Sequence, residues 1–209
     1  MKMTETTRRE QLILKLDRLS KEAVLVFGLG CAERLFPNYL KFFETNQWGN
    51  PSAIRSALDF GWDYLTQPGS LDLENLDSLK QECERAAPEI EMFSELTSPA
   101  LDAAGGAYLI LDFIAEGQTR AVADVASLCV NTVDTHIRHT FLAEQGGLES
   151  IKDMDAYLER EEYIVQNHFL WLREIKHQKS ALDFLSSEDG RLDFSELKSR
   201  WSEAVPKTL

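Results

Sequence analysis

The chain has 209 residues, enough for one ordinary domain with a sizeable core, and its 44% apolar and 10% aromatic content argues against disorder or a collagen-like fibre. Lys and Arg total 22 against 35 Asp and Glu, a formal charge of −13. An acidic protein gains nothing from the counterions held by phosphate backbones or anionic lipid surfaces, so neither nucleic acid nor a membrane is an expected partner.

Long apolar/polar alternation and the hairpin dipeptide Asn-Gly are absent, while helix starts and stops recur along the chain. Residues 5–18, with Leu12, Leu14 and Leu16 and with Leu19 just beyond, read as a charged amphipathic helix. Ser20 is placed to cap a helix through about Arg34, and Phe36–Thr45 reads as a separate turn-and-helix piece around Pro37. Asn50-Pro51 is an N-cap followed by proline at the first helical position, starting a helix that runs to Leu65. Asp72 starts the next, which runs through Ala87 and is closed by Pro88. Ser98-Pro99 repeats the cap-plus-proline start for a helix to Glu116, with Gly117 as its stop. Thr119 opens a helix to about Ala143, halted by Gly146-Gly147; residues 150–185 hold neither Gly nor Pro and read as one long helix or two abutting ones. A last helix begins near Asp193 and ends before Pro206.

The expected fold is therefore all-α, an irregular single-domain helical bundle over 1–209. The helices starting near 20, 51, 99 and 119 lie inside it. Residues 23–32 are apolar all round, as in a buried helix. Ala100, Ala103, Ala104, Gly105, Gly106 and Ala107 make the helix after Pro99 thin, so that a neighbour can approach closely. Val122, Val125, Cys129, Val133 and Ile137 form the core stripe of the next one. That apolar run of 23–32 is too short to span a bilayer, and the opening residues show no signal-peptide pattern. Cys31, Cys83 and Cys129 are widely spaced without a Cys-x-x-Cys pair, as in a reducing cytoplasm, so a cytoplasmic location is expected.

Chemistry-bearing patterns are few. His136 and His139 share a helix face at i, i+3 but lack a third ligand of firm identity. Glu174 and His177 make one Glu-x-x-His, half of the carboxylate di-iron pattern, with no second copy. His168 shares a face with Val165, Leu172 and Ile175, as a core or edge histidine does. Residues 186–197 resemble the second half of an EF-hand loop, with Gly190 at the turn and Glu196 as the terminal ligand, but Leu185 occupies the first-ligand position. The simpler reading is a turn at Asp189-Gly190 and a helix capped by Asp193 with Glu196 at N3. No nucleophile elbow, Walker loop or dinucleotide fingerprint is present. No catalytic residue, metal or cofactor is assigned. What stands out is charge in awkward places: Glu33 and Arg34 ending an apolar helix, Asp59 between Leu58 and Phe60, and Asp102 among small residues. Buried carboxylates need partners, and Arg34 and Arg55 are the candidates, most simply as a structural ion-pair network.

The run Glu33-Arg34-Leu35-Phe36-Pro37-Asn38-Tyr39 resembles the Glu-Arg-x-aromatic-Pro-Asn-Tyr signature of the bacterial "domain of unknown function 416" family. The likeness continues through Trp48-Gly49-Asn50, Arg55, Leu58-Asp59 and Trp62, with a weaker match at Ala100–Ala103 and Thr132-Val133, covering about residues 24–142. Residues 150–209 depart from it. The resemblance implies an all-helical bacterial cytosolic protein and brings no established activity. On this view Pro37 and Asn38 turn the chain between helices, and Trp62 fills the core.

Two functions from different classes fit. The first is a non-enzymatic acidic interaction module, of the kind in which an immunity or antitoxin-like protein blocks a basic toxin through steered association. The acidic stretches at 72–95 and 144–162 would make that contact, and a homo-oligomer is compatible with it. The alternative is a helical metalloprotein or enzyme built on Glu33, Asp59 and Asp102, with His136.

Overall fold

The computed structural model describes residues 5–67, 75–89, 94–187, 193, 196 and 197. Within them the chain is helical without strands: α1 (Glu5–Leu16), α2 (Lys21–Asn46), α3 (Pro51–Thr66), α4 (Leu76–Ala86), α5 (Thr97–Glu116), α6 (Thr119–Glu144), a 3-10 turn at Leu148–Ser150, α7 (Met154–Asn167) and α8 (Phe169–Leu185). None of these helices is long and apolar enough to cross a membrane.

Local chemistry sets most of the boundaries. Ser20 caps α2 by accepting from the Ala23 amide at 3.2 Å, and Asn50 caps α3 by accepting from Ala53 at 3.3 Å, with Pro51 at the first position. Gly117 closes α5 in the left-handed conformation, φ 71°. One start differs from expectation. α5 begins at Thr97, so Ser98 and Pro99 lie inside its first turn and Ser98 is not the cap. The expected start of α4 at Asp72 lies outside the described residues, as does most of the EF-like tail; of that tail, the Asp193 carboxylate accepts from the Glu196 amide at 3.1 Å, which is the capping geometry.

The main correction concerns Pro37. It does not turn the chain between two helices, and neither does Asn38; both lie inside one continuous α2 of 26 residues. Proline there removes one hydrogen bond to the Glu33 carbonyl, a cost of roughly 3 kcal/mol. Burial outweighs it. α2 runs through the centre and packs against α3, α5, α6 and α8, and 15 of its residues are buried. As a consequence Glu33 and Arg34 sit at mid-helix, not at a helix end.

Small residues let the central helices meet. A Cβ on Gly28 would lie 2.8 Å from Ile110 and one on Gly106 would lie 3.1 Å from Leu35, so α2 and α5 run antiparallel in close contact. Gly61 on α3 faces the same seam, where a Cβ on it would lie 2.8 Å from Leu29. The expected buried stripe of α6 is found, with Val122, Val125, Cys129, Val133 and Ile137 all inside. Most of the apolar core is one cluster spanning α1 to α6 and the end of α8; Val133, Ile137 and Val165 form a separate small cluster where α6 meets α7.

Candidate functional site

Glu33 is buried, and its carboxylate is fully engaged. Arg55, one turn into α3, donates to both of its oxygens at 2.6 and 2.8 Å, and the Trp62 indole N–H donates at 2.9 Å. Arg55 also reaches Asp59 at 3.2 Å and covers the Phe36 ring at 5.4 Å. The side chain of Asp59 is 46% exposed, so it sits at the rim of this group. A bidentate guanidinium plus an indole gives a buried carboxylate hydrogen-bond partners on both of its oxygens. The seven-residue spacing from Arg55 to Trp62 places both on the face of α3 that meets α2. Trp62 does fill the core, as expected.

Arg34 points elsewhere. It pairs with Glu174 on α8 at 2.7 Å, and donates to the Gly30 carbonyl at 2.8 Å and towards the Cys31 sulfur at 3.5 Å. Thus the carboxylate expected for Arg34, Glu33 or Asp59, is replaced by one that lies 140 positions away in the chain. Gln178 completes the group by donating to Glu174 and to the Ala126 carbonyl, each at 2.9 Å. Glu174, Gln178 and Leu182 form the inward stripe of α8. The expected face with His168, Leu172 and Ile175 is not formed, because the helix breaks at His168. That residue caps α8 through Nδ1, and Leu172 is 50% exposed. A buried stripe whose first two members are Glu and Gln gives no apolar periodicity to find.

Tyr39, Gly49 and Asn50 form a third group. The Tyr39 hydroxyl donates to the Ala86 carbonyl at the end of α4 and accepts from the Asn50 amide at 3.0 Å. Gly49 has φ +106°, and a Cβ there would lie 2.6 Å from the same hydroxyl. Burial raises the Tyr39 pKa, so the phenol stays protonated as this bridging role requires. The Asn38 amide nitrogen is buried without a hydrogen-bond partner among the described residues. Asp102 accepts from Thr132 on α6 at 2.7 Å, and burial lifts its pKa to about 6 against that hydrogen bond. Of the expected set, Arg55 therefore joins Glu33 to Asp59, while Arg34 turns to α8 and Asp102 to α6.

No three of His, Cys, Asp or Glu among the described residues are grouped as a metal site would need. A shallow cleft of about 350 Å³ lies between the end of α6 and α7, with Phe141, Lys152, Tyr157 and Arg160 on its walls. Its wall residue Asp153 is already used as the α7 cap. Above the cleft, α7 is held to α6 by Arg138, which pairs with Asp134, Glu161 and Glu162. Glu161 and Glu162 were expected on the acidic surface of 144–162; Glu161 is instead buried, and both serve as ion-pair partners. Among the described residues, Asp155 and Glu159 of α7 take part in no ion pair. Met154 and Leu158 are 46% and 49% exposed at i, i+4, with Asp155 and Glu159 exposed beside them.

A family model described as "Protein of unknown function (DUF416)" matches residues 11–203. That range extends the expected likeness of 24–142 through the C-terminal helices. The chain is similar to the uncharacterized protein YjaG of Escherichia coli K12, 32% identical over 91 residues, and to YjaG of Salmonella typhimurium, 31% identical over 91 residues. These matches cover 43% of the chain and 45% of each relative, less than half the relatives' length. The crystal structure of a DUF416 family protein from Shewanella baltica OS155 shares the fold, with a TM-score of 0.73 over 91% of this chain and 93% of that one at 21% identity.

Proposed function

The chain belongs to the DUF416 family, and from that premise we propose that it is a non-enzymatic, acidic protein-binding module whose partner is a basic protein, in the manner of an immunity or antitoxin-like protein. The observation that carries this reading is the outer face of α7. There an apolar pair, Met154 and Leu158, runs beside an acidic pair, Asp155 and Glu159, with Leu148 60% exposed just upstream. Such a strip suits a segment with apolar anchors flanked by Lys or Arg. The apolar pair supplies affinity, and the acidic pair supplies steering and register. The signature residues support the same reading from the other side, since Glu33, Arg34, Tyr39, Arg55 and Trp62 are each used to join one helix to another. The overall charge of −13 adds a long-range attraction for a basic partner.

The test is affinity capture from a lysate of the organism that carries the protein, run in parallel with the Asp155→Lys, Glu159→Lys double variant. A basic protein retained by the wild type, released by moderate salt and missed by a double variant of unchanged melting temperature is the expected result. Identical capture by both proteins would remove α7 from the contact. Retention insensitive to salt would remove the charge argument with it.

A further inference from the structure

Exposed apolar side chains gather on the last two helices. Among the described residues, six of the nine large apolar side chains left exposed lie on α7 and α8, a concentration that marks a contact surface. On α8 they begin with Phe169 and Leu172, and Arg173 and Lys176 follow each of these at i+4, both exposed. Among the described residues neither cation takes part in an ion pair, whereas Arg34, Arg55, Lys80 and Arg138 all do. The outer stripe of α8 is therefore apolar and basic, against the acidic balance of the chain. It is the electrostatic complement of the outer stripe of α7, where Met154 and Leu158 run beside Asp155 and Glu159. Residues three or four apart on a helix stand about 5–6 Å from each other. The apolar pairs of the two stripes thus match in length, and so do their charged pairs.

We propose that the α8 stripe of one copy of this chain docks on the α7 stripe of a second copy, and the reverse, in a two-fold homodimer that covers both. Two copies carrying −13 each repel one another, so a self-contact has to form where the facing charges are opposite. At physiological salt the Debye length is about 8 Å, and charges far from the contact count for little beside those that face each other. Placing α7 on α7 would oppose Asp155 and Glu159 to their own kind, and placing α8 on α8 would do the same to Arg173 and Lys176. Pairing α7 with α8 makes both sets attractive and brings Met154 and Leu158 against Phe169 and Leu172. The charges on the inner sides are already committed, Glu161 to Arg138 and Glu174 to Arg34, which leaves the outer ones for a second copy. Only His168 separates the two helices in the chain, so a single two-fold operation forms both contacts and closes the assembly at two copies. The inference rests on the α7 strip of the functional reading above but not on its partner. The dimer and a complex with a basic protein use the same strip, so they exclude each other, and the second copy's α8 holds the place that the partner would take.

Sedimentation equilibrium of the purified full-length protein at physiological salt tests this with no partner present. A reversible monomer–dimer equilibrium is the expected result. The double variant Asp155→Lys, Glu159→Lys and, separately, Arg173→Glu, Lys176→Glu should each weaken the dimer by at least about tenfold. All four side chains are exposed, so the melting temperatures should stay unchanged. Mixed in equal amounts, the two double variants should recover the dimer as a heterodimer. In that mixture the reversed α7 faces the reversed α8 at one contact, and the two native stripes face each other at the second. A monomer up to roughly 100 μM, assembly beyond two copies, or a mixture that stays monomeric would each overturn the proposal. Failure here is distinct from failure of the functional reading, because Arg173→Glu, Lys176→Glu leaves the α7 strip intact. Salt-sensitive capture of a basic protein by a wild type that never dimerises would refute the dimer alone.

Discussion

Removing the cation from a buried ion pair leaves an ionised group stranded, and that penalty separates the charged residues of the core from those at its rim. Arg55→Ala leaves Glu33 with the Trp62 N–H alone, and Arg34→Ala leaves Glu174 with Gln178 alone. Each is expected to cost about 3–5 kcal/mol in urea unfolding, the usual price of an uncompensated buried charge. Asp59→Asn removes a half-exposed partner of the same Arg55 and is expected to cost less than about 1 kcal/mol. Equal losses for Asp59→Asn and Arg55→Ala would show that the group is not organised around Glu33. Asp102 behaves in the opposite sense. Its pKa is about 6 in the folded protein against 3.8 for an unperturbed carboxyl, so the native state favours the protonated form. Stability is then gained as pH falls from above 6 to below 4, and at pH 7 the ionised carboxylate is a burden of order 1–3 kcal/mol. Asp102→Asn keeps an acceptor for Thr132 and removes that burden, so the variant should melt higher than wild type at pH 7.5, with the difference shrinking towards pH 4. A lower melting temperature at pH 7.5 would contradict this assignment.

At the scale of elements, the loop between α2 and α3 turns on one hydroxyl. Gly49→Ala places a methyl group at φ +106° and 2.6 Å from the Tyr39 oxygen, so both the backbone and the Tyr39 bridge to Ala86 must give way. The expected cost is about 2–3 kcal/mol by denaturant unfolding, with the Tyr39→Phe, Gly49→Ala double variant losing less than the sum of the single ones. Strict additivity would separate the loop from the tyrosine. Helix existence was legible in sequence wherever the signal was local: the Ser20 and Asn50 caps, the Gly117 stop, and the apolar stripe of α6 all act within a turn or two of chain. Pro37 was misread because its cost is local while the burial of α2 that overrides it comes from α3, α5 and α6. The same reason hid half of the charged network. Arg55 and Glu33 lie on adjacent helices and could be paired from the sequence, but Glu174 reaches Arg34 across 140 positions, from a helix whose inward stripe is polar.

Across the whole molecule, stability is unevenly distributed, and the helix assigned to binding lies at its weak end. α2 and α5 belong to the main core, whereas α7 rests on α6 and α8 through the small cluster of Val133, Ile137 and Val165. Its other attachments are the Arg138 ion pairs and the stacked rings of Phe141 and Tyr157 at 5.4 Å. An element with few buried apolar contacts opens by local fluctuation, while α2 and α5 open only with global unfolding. Native-state hydrogen exchange should therefore show α7 amides exchanging at a clearly smaller opening free energy than those of α2. Arg138→Gln should speed exchange in α7 by about tenfold, equivalent to roughly 1.4 kcal/mol, and leave α2 and α5 unchanged. If α7 proves as protected as α2, or if Arg138→Gln accelerates every helix alike, α7 is part of the global core. If instead α7 alone responds, the exposed strip of Met154, Asp155, Leu158 and Glu159 is carried on an element that can adjust to a partner without disturbing the rest of the bundle.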